Sequence, residues 1–366
     1  MQLRFFSLST LFATMADVTM GLQIAPLLST CVQACQRGCI EIRNVQQARE
    51  LNDGGLQFQL KDAHDPRSAL TEADGAAQKA IVGALRAEWG TQLRIVGEED
   101  DDEELAASLA SMTFEPLKRD LLDDDIGATA DLDPADVTIF VDPLDGTREF
   151  VEGRLSNCQV LVGIAVGGES VAGAVGIPFP DGDLSSDPTV VYGMVGVGAG
   201  VLGTPLRRGP YPQEHHVDGI KYPRPHHATG DSPATVIQAC IKGAINRFGG
   251  SNVIYGGAGN KILAASLGEV ACSIQHKIGG PWDLCAPEAI LKAMGGHMTD
   301  LFGEPIEIYR SDAPLRCNER GYIVTPPGAE EEHFHEALAA ALVALPEVQA
   351  YRDEVLNVQP REVMTK

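Results

Sequence analysis

Apolar positions recur every three or four residues over 23–49, where Ile24, Leu28, Cys31, Cys35 and Ile40 would share one helical face. A second repeat covers 71–89, with Ile81, Leu85 and Trp89 in register and Gly90 as its stop. Short apolar runs at 94–97, 137–141, 158–166, 170–177 and 189–195 have the length and β-branched content of strands. Residues 203–225, rich in Pro, Gly, His and Arg, read as a linker. Beyond it the pattern alternates: helix 233–246, strand 252–255, helix 259–267, strand 269–275, helix 284–294, strand 297–300, and a closing helix at 330–345. The expectation is an α/β protein with an α+β domain over 16–210 and a layered α/β domain over 211–345. Residues 346–366 would form a peripheral tail, and there is no internal repeat.

Composition narrows the picture in two respects. The chain of 366 residues is 44% hydrophobic and carries a formal net charge of −23, which argues against nucleic acid or an anionic membrane as partner. Much of that charge is local, with fifteen acidic and two basic side chains over 98–136, and 101–136 reads as a surface excursion without periodicity. The eight cysteines form no Cys-x-x-Cys pair, which fits a reducing, cytoplasmic setting. Cys31, Cys35 and Cys39 read as a buried helical stripe. Residues 1–15 hold one basic residue, Arg4, and an apolar run over 5–13. They read as a disordered extension or as a targeting segment, in which case the compartment would be a mitochondrion or plastid.

The chemistry concentrates at 141–150. Asp142 closes an apolar strand, Pro143 interrupts it, and Asp145 follows three residues after Asp142. Gly146 and Thr147 then open a short helix whose first N–H groups lack intrahelical partners. Two carboxylates beside free amides can hold a hard cation next to a phosphate, the outline of a metal-dependent phosphatase. Other acids admit plainer readings. Glu98 and Glu99 follow a strand but also begin a solvated acidic loop. Asp74 lies in a first helical turn, where it favours the macrodipole, and Asp283 is placed to cap a helix. Gly256-Gly257-Ala258-Gly259-Asn260-Lys261 opens a helix as a tight turn or as a backbone approach to a ligand, with Lys261 as a cation for a second anionic group.

Taken together, Leu70-Thr71-Glu72-Ala73-Asp74, Gly97-Glu98-Glu99, Asp142-Pro143-Leu144-Asp145-Gly146-Thr147 and Trp282-Asp283 resemble the lithium-sensitive, magnesium-dependent inositol monophosphatase superfamily. The stretches 141–153, 256–262 and 282–291 with Gly295-Gly296 narrow the resemblance to its 3′(2′),5′-bisphosphate nucleotidases. The resemblance covers about residues 20–325 and implies a layered αβαβα fold. It implies two to three Mg2+ ions: one on Glu98, Asp142 and the Leu144 carbonyl, a second on Asp142, Asp145 and Asp283, and a third near Glu98 and Glu99. It assigns Asp74 and Thr147 to a proton relay. Substrate contacts would come from the Gly146 and Thr147 amides, from Gly257 and Lys261, and from Thr229 and Ser232, the latter standing where the animal enzymes carry His. The implied substrate is a small phosphorylated nucleotide handled by a monomer. The rival readings are an inositol polyphosphate 1-phosphatase with the same metals, and a phospho-ligand sensor that has no need of a water-activating base.

Overall fold

The computed structural model describes residues 22–51, 58–60, 69–99, 102–126, 131–206, 208, 215–217, 220–222, 226–229, 239, 241, 251–276, 279–310, 315, 318–328 and 334–357. Helix α1 (Ile24–Leu51) buries Leu27, Leu28, Cys31, Cys35, Cys39 and Ile42 completely. Ile40 is exposed, contrary to expectation, because a five-residue step from Cys35 rotates it off the buried stripe. Helix α2 (Glu72–Trp89) packs beside α1 through Ala73, Ala77, Ile81 and Leu85.

Both helices cover one face of a six-stranded sheet. Its strands are β1 (Arg94–Gly97), β2 (Val137–Asp145), β3 (Gln159–Val166), β4 (Glu169–Ile177), β5 (Thr189–Met194) and β6 (Gly198–Gly203). They lie in the order β6-β5-β4-β3-β2-β1, antiparallel except for the parallel β1–β2 pair. Pro143 does not end β2. The β2–β3 register shifts between Asp142 and Asp145, so the proline's missing N–H falls in an irregularity of the ladder.

Residues 101–136 are more than an excursion. They contain α3 (Asp102–Leu109) and α4 (Asp123–Ile126), and Leu117 and Leu122 are buried in the core of α1 and α2. Between them Arg119 places its guanidinium 3.8 Å over the Trp89 ring and donates to Glu88. A connection of this kind shows no period of its own, since the partners that bury it belong to other elements.

The opposite face of the first sheet is covered by two helices from the second half, α6 (Ala258–Ser266) and α7 (Cys285–Ala293), the short α5 (Thr147–Val151) lying at the end of β2. Leu161, Val175 and Val191 meet Leu263, Ala286 and Ile290 there. Beyond them stands a second sheet of β7 (His226–Thr229), β8 (Ser251–Ile254), β9 (Cys272–Gln275), β10 (His297–Thr299) and β11 (Tyr322–Thr325). The order is β8-β7-β9-β11-β10, parallel through β8, β7 and β9 and antiparallel through β11 and β10. The two-residue period of β11 sends Tyr322 and Val324 toward α6 and α7, and Ile323 toward the far side. There α8 (Phe334–Val343) and α9 (Pro346–Asn357) close the last layer through Leu338, Leu342 and Val348. The tail expected at 346–366 thus begins as a docked helix, with the Tyr351 hydroxyl donating to the His276 carbonyl at 2.9 Å. The expected linker includes an antiparallel pair, His215–Val217 with Ile220–Tyr222, and the helix expected at 233–246 lies mostly outside the described residues. The layers run helix, sheet, helix, sheet, helix.

Candidate active site

Parallel pairing of β1 with β2 brings their carboxyl ends side by side, and the Glu98 amide donates to the Val141 carbonyl at 3.0 Å. Asp142, with its carboxylate accepting the Leu144 amide at 3.0 Å, and Asp145 stand on either side of the register shift in β2. Asp283 arrives from the 3-10 turn Pro281–Asp283, where its carboxylate accepts the Gly280 amide at 2.8 Å. One carboxylate oxygen from each of Asp142, Asp145 and Asp283 falls within 4.8 Å of the others. Of the six groups expected to hold metal, these three form one cluster. Glu98 lies beside them, and its charge acts on Asp145 and Asp283. Glu99 occupies the same half-buried turn after β1, and the Leu144 carbonyl accepts the Thr147 hydroxyl at 3.0 Å.

Asp145 is held from the other half of the chain. Its two oxygens accept the amides of Ala258 and Gly259, each at 2.8 Å, so it caps the amino end of α6. The turn before α6 must come very close to do this. Gly257 has φ +77° and ψ +145°, and a Cβ there would lie 2.6 Å from Asp145 Oδ2. The glycine loop therefore approaches a carboxylate of the chain itself. Lys261 is buried one turn on, donates to the Gly257 carbonyl at 2.7 Å, and adds its positive charge to the surroundings of Asp145.

Burial pushes the Asp145 carboxyl above its ordinary range, opposed by Lys261 and the two amides, with Glu98 pushing it further up. Asp283 is raised well above the usual carboxylate range by burial, then by the charges of Glu98 and Asp145. An all-oxygen set in which like charges crowd one another suits a hard divalent cation.

The second expected constellation also assembles. Thr147 Oγ1 donates to Asp74 Oδ1 at 3.1 Å and shares its single proton with the Leu144 carbonyl. Asp74 is fully buried in the first turn of α2. Gly146, at φ +88°, turns the chain from β2 into α5 and brings Thr147 against Asp74. Thr229 ends β7, with its side chain outside the described residues, and Ser232 lies outside them altogether.

Sequence reasoning missed the polar groups that join these turns. Glu149, buried on α5, takes Arg154 at 2.6 and 2.7 Å and Asn157 at 2.8 Å. Asn157 in turn accepts Asn260 at 3.2 Å. Near them a cavity of about 350 Å³ is bordered by Tyr255, Asn260, Arg208 and Glu269, with Arg208 bidentate to Glu269 at 2.8 and 2.9 Å. An acid two residues after Thr147 was the one local signal, and it reads equally well as a solvated helix position.

A layered fold with crowded carboxylates at the ends of two parallel strands and a Thr–Asp pair alongside defines a class of metal-dependent phosphatase. Residues 26–347 match the inositol monophosphatase family, and the chain belongs to that family and is a phosphatase. The Dictyostelium discoideum 3'(2'),5'-bisphosphate nucleotidase 1 is 30% identical over 312 residues, covering 83% of this chain and 94% of the relative. The Homo sapiens 3'(2'),5'-bisphosphate nucleotidase 1 is 32% identical over 261 residues, covering 70% and 78%. Among solved structures, inositol monophosphatase II of Staphylococcus aureus superposes with a TM-score of 0.61 at 18% identity, over 91% of this chain and 99% of that one. Among the described residues no helix is long and apolar enough to cross a membrane.

Proposed function

We propose that the chain is a Mg2+-dependent phosphomonoesterase that removes the 3′-phosphate of adenosine 3′,5′-bisphosphate, and of 3′-phosphoadenylyl sulfate, releasing AMP or adenylyl sulfate and phosphate. The observation that carries the chemistry is the Thr147–Asp74 hydrogen bond of 3.1 Å beside the Asp142, Asp145 and Asp283 cluster. The choice of substrate is supported by relatives named as bisphosphate nucleotidases at 30% and 32% identity.

In this reading Glu98, Asp142, Asp145, Asp283 and the Leu144 carbonyl hold two Mg2+ ions, and Glu99 lies near a third. The ions, when bound, supply positive charge at the phosphoryl oxygens and lower the pKa of the attacking water. Thr147 Oγ1 accepts the water's proton as it passes its own to Asp74, the buried general base. The Gly146 and Thr147 amides donate to the scissile phosphate, where charge accumulates. Lys261 offsets the negative charge around Asp145, and Gly257, Thr229 and Ser232 border the nucleotide. The P–O3′ bond breaks, the hydroxyl of the water ends on phosphorus, and the departing 3′-oxygen takes up a proton from solvent water to leave as the alcohol. We further propose a monomer in the cytoplasm, with two lobes divided near residue 210 that share the core formed by α6 and α7.

Phosphate release from adenosine 3′,5′-bisphosphate, 3′-phosphoadenylyl sulfate, inositol 1-phosphate and inositol 1,4-bisphosphate, with Mg2+ and with or without lithium, tests the reading. Faster turnover of the nucleotides and inhibition by lithium are expected. Faster turnover of an inositol phosphate would move the protein to a polyol branch of its family, and no turnover of any substrate would make it a sensor.

A further inference from the structure

Glu149 takes no part in the chemistry above, yet it is buried between the two turns that carry that chemistry. Its carboxylate accepts Arg154 Nε at 2.6 Å, Arg154 Nη2 at 2.7 Å and Asn157 Nδ2 at 2.8 Å. Asn157 extends the connection in two directions. Its Oδ1 accepts Asn260 Nδ2 at 3.2 Å in the first turn of α6. Its carbonyl lies against both glycine turns, where a Cβ on Gly146 would come to 3.0 Å and one on Gly257 to 3.2 Å. Gly256 is pressed onto Glu149 itself, since a Cβ there would stand 2.2 Å from Cδ. Glu149 and Asn157 thus fill the space between Gly146-Thr147, which presents the hydroxyl, and Gly257-Ala258-Gly259, which holds Asp145 by its amides.

The arrangement depends on charge. Burial opposes ionisation of Glu149, but hydrogen bonds from Arg154 and Asn157 outweigh it and hold the carboxyl below its ordinary range. Arg154 is 40% exposed and bridges Glu149 to Glu152, so it can be replaced without opening the core. Without its guanidinium, a buried carboxylate must take up a proton or move toward water. Either response alters the acceptor that Asn157 donates to, and with it the spacing of the two turns.

We propose that Glu149, secured by Arg154, is a positioning residue that acts through Asn157 to set the distance between the Thr147 hydroxyl and the Asp145 carboxylate. The proposal rests on the reading that Thr147 and Asp145 serve phosphate-ester hydrolysis, and misplacement of such groups by about 1 Å lowers rates by about 100-fold. A plain stabilising ion pair would change stability alone.

The test compares Glu149→Gln, Arg154→Met and Arg154→Lys with the wild type in kcat and KM for adenosine 3′,5′-bisphosphate, in calorimetric Mg2+ binding and in Tm. Glu149→Gln keeps the shape but turns an amide N–H toward Arg154. Arg119→Met serves as the control, because Arg119 pairs with Glu88 at 2.7 Å, about 20 Å along α2 from Asp74. Expected for Glu149→Gln and Arg154→Met are kcat values lower by about 10- to 100-fold, a much smaller change in KM, and weaker Mg2+ binding. Arg154→Lys should recover part of the loss, and Arg119→Met should lower Tm with wild-type kcat. Wild-type kcat in both Glu149→Gln and Arg154→Met, or a loss that only follows the folded fraction, would overturn the inference. Should the wild-type protein itself release no phosphate, the functional reading fails. Mg2+ binding then decides the inference alone: weakened binding in Glu149→Gln supports it and unchanged binding overturns it.

Discussion

Replacing Gly257 with alanine asks whether the glycine loop exists to bring backbone against Asp145. Two penalties follow from the geometry. At φ +77° and ψ +145° an alanine backbone is strained by about 1–3 kcal/mol. The new Cβ would lie 2.6 Å from Asp145 Oδ2, and a shift of about 0.8 Å is needed to restore ordinary contact. Such a shift stretches the hydrogen bonds from the Ala258 and Gly259 amides, both 2.8 Å, and each bond to a charged acceptor contributes about 1.5–3 kcal/mol. With one of them lost, the total is about 4 kcal/mol, a large part of the stability of an ordinary domain but not all of it. Because Asp145 belongs to the carboxylate cluster, the rate should fall by about 100-fold. The control is Gly90→Ala, at φ +68° with open space around its Cβ, which meets backbone strain of about 1–2 kcal/mol alone. Phosphate release and calorimetric Mg2+ titration below the lower of the two Tm values give the comparison. Gly257→Ala with wild-type kcat/KM and Mg2+ affinity would refute the reasoning, and so would an equal loss in Gly90→Ala.

Other outcomes follow from the same geometry. Asp283→Asn should abolish most activity yet raise Tm in a chelator, since it removes a carboxyl raised by burial, Glu98 and Asp145; a lowered Tm would contradict the crowding. Thr147→Ala should lower kcat by about 100-fold or more with little change in Tm, and an unchanged kcat would exclude the relay to Asp74. His335, buried between Thr299 and Thr325 at 2.9 Å each, is lowered to about 4 by burial and then by His297, with Glu336 opposing. It binds its proton more weakly folded than unfolded, so its contribution is complete above about pH 6.5 and fades toward pH 4, by about 3 kcal/mol in all. The Tm difference between wild type and His335→Gln at pH 7 and pH 5 measures this, and a difference independent of pH would count against it.

The elements legible in the sequence are those whose partners impose a simple period. The stripe of Leu28, Cys31 and Cys35 declares itself because it buries one face of a helix, and the continuous apolar runs of β2 to β5 because helices cover both faces of their sheet. Ile40 deceived because it is apolar one residue past a buried cysteine, and hydrophobicity without phase says nothing about burial. Pro143 deceived because the rule that proline ends a strand assumes a regular ladder, whereas β2 shifts register there. Leu117 and Leu122 gave no sign, as their burial comes from α1 and α2 and from no repeat of their own.

The site divides along the same line. Asp142, Asp145 and Thr147 are close in sequence, so their spacing carried the chemistry, and the Asp74 partnership came only from resemblance. What no local pattern could show is that Asp145 is bonded to amides more than a hundred residues away. Four carboxylates, counting Glu98, cannot be crowded together by strand geometry alone without strong repulsion. Lys261 offsets that repulsion at both Asp145 and Asp283, the amino end of α6 adds two amides at Asp145 against the single Gly280 amide at Asp283, and Asp283 keeps the more strongly raised carboxyl of the pair. The cluster is therefore partly prepared and partly left in need of cations. Three or four like charges, one of them steadied by a helix terminus, form an acidic cluster that could hold a metal ion.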